Sequence, residues 1–222
     1  MSKKMGKLKK IYFLRHGETA WNAEGRLCGR TDVPLSATGQ RQARLLAQRL
    51  KSTPVEALYS SPLGRTRETA RLIGEATGRE PEVDDRLVEL NYGAWEGKTF
   101  EEIRRTDPAT YCAWQSDPGR TAPPGGESGE QLIRRVTPFL DAIVSRHTHG
   151  NVVVVCHKTV CRLVVCHVLG LPLSEYRRRL VMENAALNIL QPWEGGWRLV
   201  RLNDTSHLST PHADPCPSAG DF

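Results

Sequence analysis

Two histidines follow short apolar runs, at positions where an α/β protein places chemistry. Residues 11–14 form an apolar run too brief for a helix and lead into Arg15-His16, and the β-branched run 151–156 leads into His157. Both runs predict strands covered on both faces. Functional residues collect beyond the carboxyl ends of parallel strands, so His16 and His157 converge if these two strands are parallel.

A third segment points to the same edge of the predicted sheet. Residues 60–65 read Ser-Ser-Pro-Leu-Gly-Arg and run from a predicted strand into a helix start. A helix N-terminus attracts anions. Together with Arg15, Arg65 and the two histidines it predicts a pocket for a carboxylate, phosphate or sulfate.

Strand and helix signals alternate along the chain, which predicts an α/β domain with a largely parallel sheet. Further strands are expected over residues 57–60, 185–190 and 197–202, with residues 193–196 joining the last two as a hairpin at the sheet edge. Helices are expected from an N-cap at Ser36 to Leu50, from Pro62 to Ala76, from a capping box at Ser128 to about His147, and over residues 160–169.

Charge and hydropathy exclude two classes of partner. The 222 residues include 31 Lys and Arg against 25 Asp and Glu, but five of the lysines lie in the first ten residues, so the rest of the chain is close to neutral. No nucleic-acid-binding motif accompanies the basic start. The longest clean apolar run is residues 152–156, so no membrane span is expected, and no apolar segment follows the lysines to complete a signal peptide. We expect a cytoplasmic protein that binds neither nucleic acid nor membrane.

The cysteines allow a zinc hypothesis, which the sequence does not favour. None of the six cysteines forms a CxxC pair, and reduced thiols in the cytoplasm are expected. Cys156, His157, Cys161, Cys166 and His167 have ligand types that zinc prefers, but their spacing matches no common site. Small thiols in an apolar stretch are more often packing residues, so no metal is expected.

Four collinear segments resemble one known family. Residues 15–22, Arg-His-Gly-Glu-Thr-Ala-Trp-Asn, are similar to the signature of the histidine phosphatase superfamily, the phosphoglycerate mutase-like proteins with a branch 1-type core. Segments 60–70 and 89–97 and the strand ending in His157 agree in the same order, and the resemblance spans residues 11–205. It implies a three-layer α/β/α sandwich around a mostly parallel sheet with an antiparallel edge hairpin. We expect one domain over residues 11–205, with a basic tail at 1–10 and a second tail at 206–222.

The resemblance also implies catalytic roles. His16 would be the nucleophile that forms a phosphohistidine, while Arg15, Arg65 and His157 would hold the phosphoryl oxygens without a metal or other cofactor. Fixed guanidinium and imidazole donors suit the negative charge that a transferring phosphoryl group spreads over its oxygens. Glu89 would act as general acid and then as general base, with a raised pKa as a hypothesis.

Three nearby acids, Asp84, Asp85 and Glu96, compete with Glu89 for the acid–base role. The expected substrate contacts are Asn22, Cys28, Gly29, Tyr92 and Lys158. Asn22 could instead cap a turn. Many relatives have a small residue where this chain has Lys158. Lys158 could reach a substrate carboxylate and so favour doubly anionic substrates, or it could point into solvent.

The family resemblance leaves several functions open. Only 67 residues separate Glu89 from His157, which is short for the insert of the phosphoglycerate mutases, so hydrolysis of a small phosphorylated metabolite is favoured. Residues 203–208 are similar to the ending of metal-independent phosphoserine phosphatases and α-ribazole phosphatase-like members. A cofactor-dependent mutase and a phospholigand-binding protein without turnover remain as alternatives. A homodimer through the edge hairpin is a further hypothesis.

Three further features have structural explanations. Residues 124–128 precede the capped helix at Ser128, and a histidine such as His147 is favoured at a helix C-terminus by the helix dipole. Residues 177–179, three consecutive arginines, are interpreted as a solvated helix face.

Overall fold

The computed structural model describes residues 10–194 and 196–209. Residues 1–9 and 210–222, which make up most of the two expected tails, lie outside the described residues, as does Gly195 in the expected hairpin turn. The predicted tail boundaries therefore stay predictions.

Six strands form one mixed sheet in the order β3-β2-β4-β1-β5-β6. The strands are β1 Lys10–Arg15, β2 Val55–Ser60, β3 Pro81–Val83, β4 Asn151–Cys156, β5 Leu187–Trp193 and β6 Gly196–Asp204. The helices are α1 Ala20–Ala23, α2 Ala37–Leu50, α3 Gly64–Thr77, α4 Phe100–Thr106, α5 Pro108–Ser116, α6 Gly129–Arg146, α7 Lys158–Leu169 and α8 Tyr176–Arg179. Short 3-10 turns cover Asp85–Leu87, Gly93–Trp95, Leu173–Glu175 and Ser206–Leu208.

The predicted fold class is confirmed. β1 and β4 run parallel with Arg15 opposite Cys156, and β2 and β3 continue the parallel part of the sheet. β5 pairs antiparallel with β1, and β6 closes the edge as the second strand of the hairpin. The parallel register of β1 and β4 brings the residues that follow both strands to one edge of the sheet.

The β-branched composition of β4 follows from its place between two helical layers. All six of its residues are buried. Because successive side chains point to opposite faces, Val152 and Val154 pack in the core under α6 and α7, and Val153 and Val155 pack in the core under α2 and α3. This central strand fixes the position of the residue that follows it, His157.

Two predicted elements begin later than expected. α3 starts at Gly64 rather than Pro62, because the backbone N–H of Gly64 is capped by Asp32 Oδ1 at 2.8 Å, a partner distant in sequence. β5 starts at Leu187 rather than Ala185, because Ala185 has a left-handed backbone with φ of 56°. Its N–H donates to the carbonyl of His16 at 3.0 Å instead of joining the ladder. In both cases a contact that only the fold creates sets the boundary.

The small helices α1, α4 and α5 and the short strand β3 were not predicted from the sequence. α4 and α5 hold an aromatic cluster in which Trp114 packs on Phe100, and Arg177 stacks on both rings with its guanidinium 4.0 and 4.7 Å from their centres. Arg177 therefore ties α8 to this cluster, and the interpretation of 177–179 as a solvated face holds for Arg178 and Arg179, which are exposed and pair with Glu175.

The cysteines considered for zinc lie in the core. Cys156, Cys161 and Cys166 are buried, the first two with sulfurs 3.4 Å apart, and His167 is exposed on α7. Within residues 10–194 and 196–209, no group of three His, Cys, Asp or Glu side chains has a geometry that could hold a metal ion. His147 instead bridges the Tyr59 hydroxyl and the Glu56 carboxylate at 2.9 and 3.0 Å.

The helices of the described segment are all too short or too polar to cross a bilayer.

Candidate active site

The backbone fixes the protonation pattern of His16, which follows β1. The ring is buried, and its Nδ1 lies 2.6 Å from the carbonyl oxygen of Gly17. A carbonyl can only accept, so Nδ1 carries the hydrogen and Nε2 holds the lone pair. Burial and the charges of Arg65 and Arg15 lower the pKa of His16 well below its ordinary value, which keeps the ring neutral. His16 is arranged as a nucleophile at Nε2.

Close packing on α2 explains why residue 17 is glycine. A Cβ at Gly17 would lie 2.3 Å from the carbonyl oxygen of Gly39. Thr69 of α3 adds a second support, because its hydroxyl accepts from the Gly17 N–H at 3.4 Å and donates to the Arg65 carbonyl at 2.9 Å. The loop that orients His16 is therefore held by the two helices on one face of the sheet.

Arg15 brings the first fixed positive charge. Its side chain is buried, and NH1 donates to the carbonyl of Met182 at 2.6 Å. Burial, with a contribution from the nearby charge of Arg162, lowers the pKa of Arg15 to about 10. Arg15 still carries its charge at neutral pH.

Arg65 brings the second positive charge and is fully buried at the start of α3. Its NH2 donates to the carbonyl of Gly29 at 2.5 Å and its NH1 donates to the carbonyl of Thr31 at 2.8 Å. The loop between α1 and α2 thus fixes the plane of the guanidinium.

His157 directly follows β4 and occupies the N-cap position of α7, without a capping hydrogen bond from its side chain. Its Nε2 lies 2.8 Å from Ser61 Oγ, and its ring centre is 5.2 Å from that of His16. Burial and the charge of Arg65 lower the pKa of His157 well below its ordinary value. When Ser61 donates to Nε2, the hydrogen of this neutral ring lies on Nδ1.

Three donor atoms at this site are buried without a hydrogen-bond partner among the described residues. They are Arg15 Nε, Arg65 Nε and His157 Nδ1. Buried donors are rarely left unpaired in folded proteins, and such groups at one point indicate a ligand. Two guanidinium groups and an imidazole suit an anion with several oxygens, as phosphate has.

Glu89 lies against the same group of side chains. It is 3% exposed, and its two carboxylate oxygens accept from the N–H groups of Leu90 at 2.7 Å and Thr159 at 3.0 Å. These bonds and the charge of Arg65 favour the ionised form, but burial outweighs them and raises the pKa of Glu89. A buried carboxyl with a raised pKa suits a general acid.

The competing acids differ from Glu89 in their surroundings. Asp84 pairs with Arg86, whose hydrogen bond lowers the pKa of Asp84, and Asp85 is exposed. Glu96 is bound by four backbone N–H groups. Of these four acids, Glu89 alone is buried.

The segment that carries Glu89 is anchored to α6 by Arg135. The guanidinium of Arg135 donates to the carbonyls of Arg86 at 2.7 Å and Glu89 at 3.2 Å, and it pairs with the largely buried carboxylate of Glu127 at 2.8 Å. Glu127 in turn accepts from the Asn91 N–H at 3.4 Å. The segment 124–128 therefore supports the acid as well as preceding a helix.

The five residues expected to contact substrate fall into different environments. Asn22 forms a capping box with Thr19 that uses its Oδ1, so only its amide nitrogen could donate to a ligand. Cys28 and Gly29 lie in the loop that holds Arg65. Tyr92 is buried with its hydroxyl 3.1 Å from Thr159 Oγ1, and Lys158 is the first residue of α7.

Sequence reasoning missed several supporting residues. Ser61, Thr159, Arg135 and Thr69 contact the predicted catalytic groups, and Glu96 was considered only as a competing acid. Ser61 and Thr159 had a signal, since each lies next to a strand end. Arg135 had none, because it lies 46 positions from the residue it contacts.

Comparison with known proteins settles the family. The sequence model of the histidine phosphatase superfamily (branch 1) matches residues 11–205. The chain belongs to this superfamily. It is 37% identical to phosphoserine phosphatase 1 of Hydrogenobacter thermophilus over 199 residues, covering 90% of this chain and 94% of that protein. The resemblance drawn from four sequence segments is thereby confirmed.

Other members of the superfamily carry different names. The chain is 34% identical to a probable phosphoglycerate mutase of Yersinia enterocolitica, covering 92% of this chain and 97% of that protein. A solved mycobacterial glucosyl-3-phosphoglycerate phosphatase in complex with VO3 is 32% identical, with a TM-score of 0.81 over 88% of this chain and 98% of that one. The chain is thus similar to proteins named as phosphatases and to one named a probable phosphoglycerate mutase.

Proposed function

We propose that this protein is a metal-independent phosphatase that hydrolyses a small phosphomonoester through a phosphohistidine on His16. The observation that carries this proposal is the bond from His16 Nδ1 to the Gly17 carbonyl, which leaves Nε2 as the nucleophilic atom of a neutral ring. The family membership and the phosphatase names among its relatives support the same reaction class.

In the first half-reaction, His16 Nε2 attacks phosphorus and the bond to the ester oxygen breaks. Arg15, Arg65 and the Nδ1–H of His157 bind the phosphoryl oxygens, where negative charge is concentrated. Protonated Glu89 gives its proton to the leaving oxygen, so the alcohol departs neutral.

In the second half-reaction, the ionised Glu89 takes a proton from water as the water oxygen attacks the phosphohistidine. The N–P bond breaks, inorganic phosphate is released and His16 returns to its neutral form. Because burial raises the pKa of Glu89, its carboxyl can donate a proton in the first half-reaction and accept one in the second.

A phosphoglycerate mutase activity is the second candidate, because one relative at 34% identity is named a probable phosphoglycerate mutase. The two candidates share the phosphohistidine and differ in whether water or a second alcohol accepts the phosphoryl group. Release of inorganic phosphate from 3-phosphoglycerate, set against its conversion to 2-phosphoglycerate, separates them.

The first experiment is hydrolysis of p-nitrophenyl phosphate by purified protein in EDTA, followed by a panel of phosphomonoesters ranked by kcat/KM. Rapid quenching should trap acid-labile phosphate on His16. The matched control is His167→Gln, since His167 is exposed on α7 and should neither take phosphate nor change turnover. Binding of inorganic phosphate without any turnover would favour a ligand-binding protein instead.

We further propose that residues 11–205 act as one cytoplasmic domain and that the Lys-rich start is dispensable for hydrolysis. Removal of residues 1–9 should leave kcat/KM unchanged. The substrate of this domain would be a small phosphorylated metabolite. Sedimentation at several protein concentrations tests whether the chain forms a homodimer.

A further inference from the structure

One carboxylate, that of Glu96, gathers four backbone N–H groups. Its two oxygens accept from Gly29 at 3.2 Å, Arg30 at 2.9 Å, Thr31 at 3.3 Å and Tyr92 at 3.3 Å. Three of these donors are consecutive residues of the loop between α1 and α2. Hydrogen bonds from a peptide N–H to a charged acceptor are stronger than those to a neutral one, so this loop is held firmly.

The same loop holds Arg65 from its opposite side. The amides of Gly29 and Thr31 point to Glu96, while the carbonyls of these two residues accept from the guanidinium of Arg65 at 2.5 and 2.8 Å. Two short hydrogen-bonded paths therefore connect Glu96 to Arg65 through the backbone. Arg65 is fully buried, so its other donors have little freedom once these two bonds are set.

The glycine at position 29 fits this arrangement. A Cβ at Gly29 would lie 2.0 Å from Glu96 Oε1 and 2.5 Å from the carbonyl oxygen of Leu90. The Leu90 carbonyl is backbone and cannot move away easily. The loop approaches the Glu96 carboxylate so closely that a side chain on residue 29 would separate the two.

We propose that Glu96 is a positioning residue that aims the guanidinium of Arg65 at the transferring phosphoryl group by way of residues 29–31. This inference rests on the proposed phosphatase function. Glu96 itself does not touch the substrate: its carboxylate is occupied by backbone amides, and its effect on the reaction passes through Arg65. Positioning matters because a small displacement of a fixed charge costs transition-state stabilisation more than ground-state binding.

The test is a double-mutant cycle of Glu96→Gln and Arg65→Lys on p-nitrophenyl phosphate. The amide of Glu96→Gln keeps the size but turns an NH2 group toward loop donors, so kcat should fall roughly 10- to 100-fold with KM changing less than about 3-fold. In the Arg65→Lys background the same change should cost less than about 3-fold, because the guanidinium it would displace is gone. Equal losses in both backgrounds would overturn the proposal.

Asp117→Asn is the matched control for removing a capping carboxylate. Asp117 accepts from the N–H groups of Gly119 and Arg120 at 3.1 and 3.2 Å, in a turn that does not touch Arg65. It should lower the melting temperature without lowering kcat. If Glu96→Gln lowers only the melting temperature, as this control does, Glu96 is structural and the proposal is wrong. If Glu96→Gln fails to fold, Glu96→Asp takes its place in the cycle.

Binding of inorganic phosphate, measured by calorimetry, separates this inference from the proposed function. If the wild-type protein binds phosphate but hydrolyses no ester, the proposed function is wrong. The role of Glu96 in positioning Arg65 can then still be tested by phosphate binding. Glu96→Gln should then weaken phosphate binding in the wild-type background and leave it unchanged with Arg65→Lys. Equal weakening in both backgrounds would again overturn the role of Glu96.

Discussion

The two sides of the active site fix opposite charges by the same means. On the phosphoryl side, which comprises Arg15, His16, Arg65 and His157, backbone carbonyls of Met182, Gly29 and Thr31 hold the two guanidinium groups. On the acid side, which comprises Glu89 with its supports Arg135 and Glu127, backbone N–H groups hold the Glu89 carboxylate. Arg135 and Glu127 differ from these catalytic groups, because their side chains are joined by a salt bridge.

The side chains that take part in the reaction are therefore held by backbone groups, whereas the two supporting residues, Arg135 and Glu127, pair with each other. A carboxylate paired with Arg65 would neutralise the charge that a phosphoryl group needs, and a guanidinium paired with Glu89 would hold its pKa down. Backbone dipoles orient both side chains while leaving their net charges available. Arg135 and Glu127 have no such constraint, and each compensates the charge of the other in a largely buried place.

Replacing the nucleophile on the phosphoryl side should give the largest loss. His16→Ala removes Nε2, and kcat/KM should fall by at least about 10⁴-fold on both aryl and alkyl phosphates, because no other group can form the covalent intermediate. The measurement is initial rates on both esters, with a melting curve to show that the variant is folded. A loss confined to alkyl esters would mean that His16 acts on the leaving group.

Changing the acid should give a loss that depends on the leaving group. For Glu89→Gln, kcat/KM should fall about 10²- to 10³-fold on an alkyl phosphate and less than about 10-fold on p-nitrophenyl phosphate, whose leaving group needs no proton. Parallel kinetics on the two esters measure this contrast. Equal losses on both would assign Glu89 to phosphoryl binding instead.

The proton that Glu89 donates should also shape the pH profile of kcat/KM. Since kcat/KM on an alkyl ester needs protonated Glu89, it should decline as pH rises through the pKa of Glu89, which burial raises above its ordinary value. Glu89→Gln should abolish this basic limb. A limb that persists unchanged in the variant would belong to another group.

Loosening the support on the acid side should have a smaller catalytic effect. Arg135→Met removes the donor to the Glu89 carbonyl, so kcat/KM on an alkyl ester should fall about 10-fold, with a smaller loss on the aryl ester. It also removes the ion pair that Glu127 makes at 2.8 Å, while Arg30 stays 3.7 Å from the same carboxylate, so the free energy of unfolding should fall by about 2 kcal/mol. Kinetics on both esters and urea denaturation measure the two effects.

Arg146→Met is the control on the same helix. Its bond to Glu82 is exposed, so unfolding should change by less than about 1 kcal/mol and turnover not at all. Equal catalytic losses in the two variants would show that α6 as a whole, rather than the Arg135 contact, affects Glu89.

The sequence was informative where chemistry coincides with strand ends. Short apolar runs located β1 and β4, and their parallel arrangement brought His16 and His157 together as expected. Arg15 and Arg65 were expected at the same edge from a strand end and a helix start, whereas the role of Glu89 followed from the family resemblance. Such residues can be predicted because they follow strand ends in the sequence, and an α/β fold brings the carboxyl ends of its parallel strands to one edge.

Contacts between distant segments could not be predicted in this way. Glu96 lies 65 to 67 positions from the loop amides it binds, and although it belongs to the family-like segment 89–97, nothing in that segment indicates these partners. The left-handed Ala185 likewise has no signal in its own sequence, since alanine rarely adopts this conformation and does so here beside the His16 carbonyl. Supports of this kind depend on tertiary packing.

Replacing Asp32 should have the smallest effect on activity, and it tests which contacts position the Arg65 guanidinium. Its carboxylate caps α3 at the Gly64 N–H, next to Arg65, whereas the Arg65 guanidinium is held by Gly29 and Thr31. Asp32→Ala should therefore cost about 1 kcal/mol of unfolding free energy, as Ser36→Ala should at the cap of α2. Because the carbonyl contacts remain, kcat should fall less than about 3-fold. Urea denaturation and steady-state kinetics measure both. A loss of kcat as large as that of Arg65→Lys would show that the helix start, rather than the loop carbonyls, aims the guanidinium.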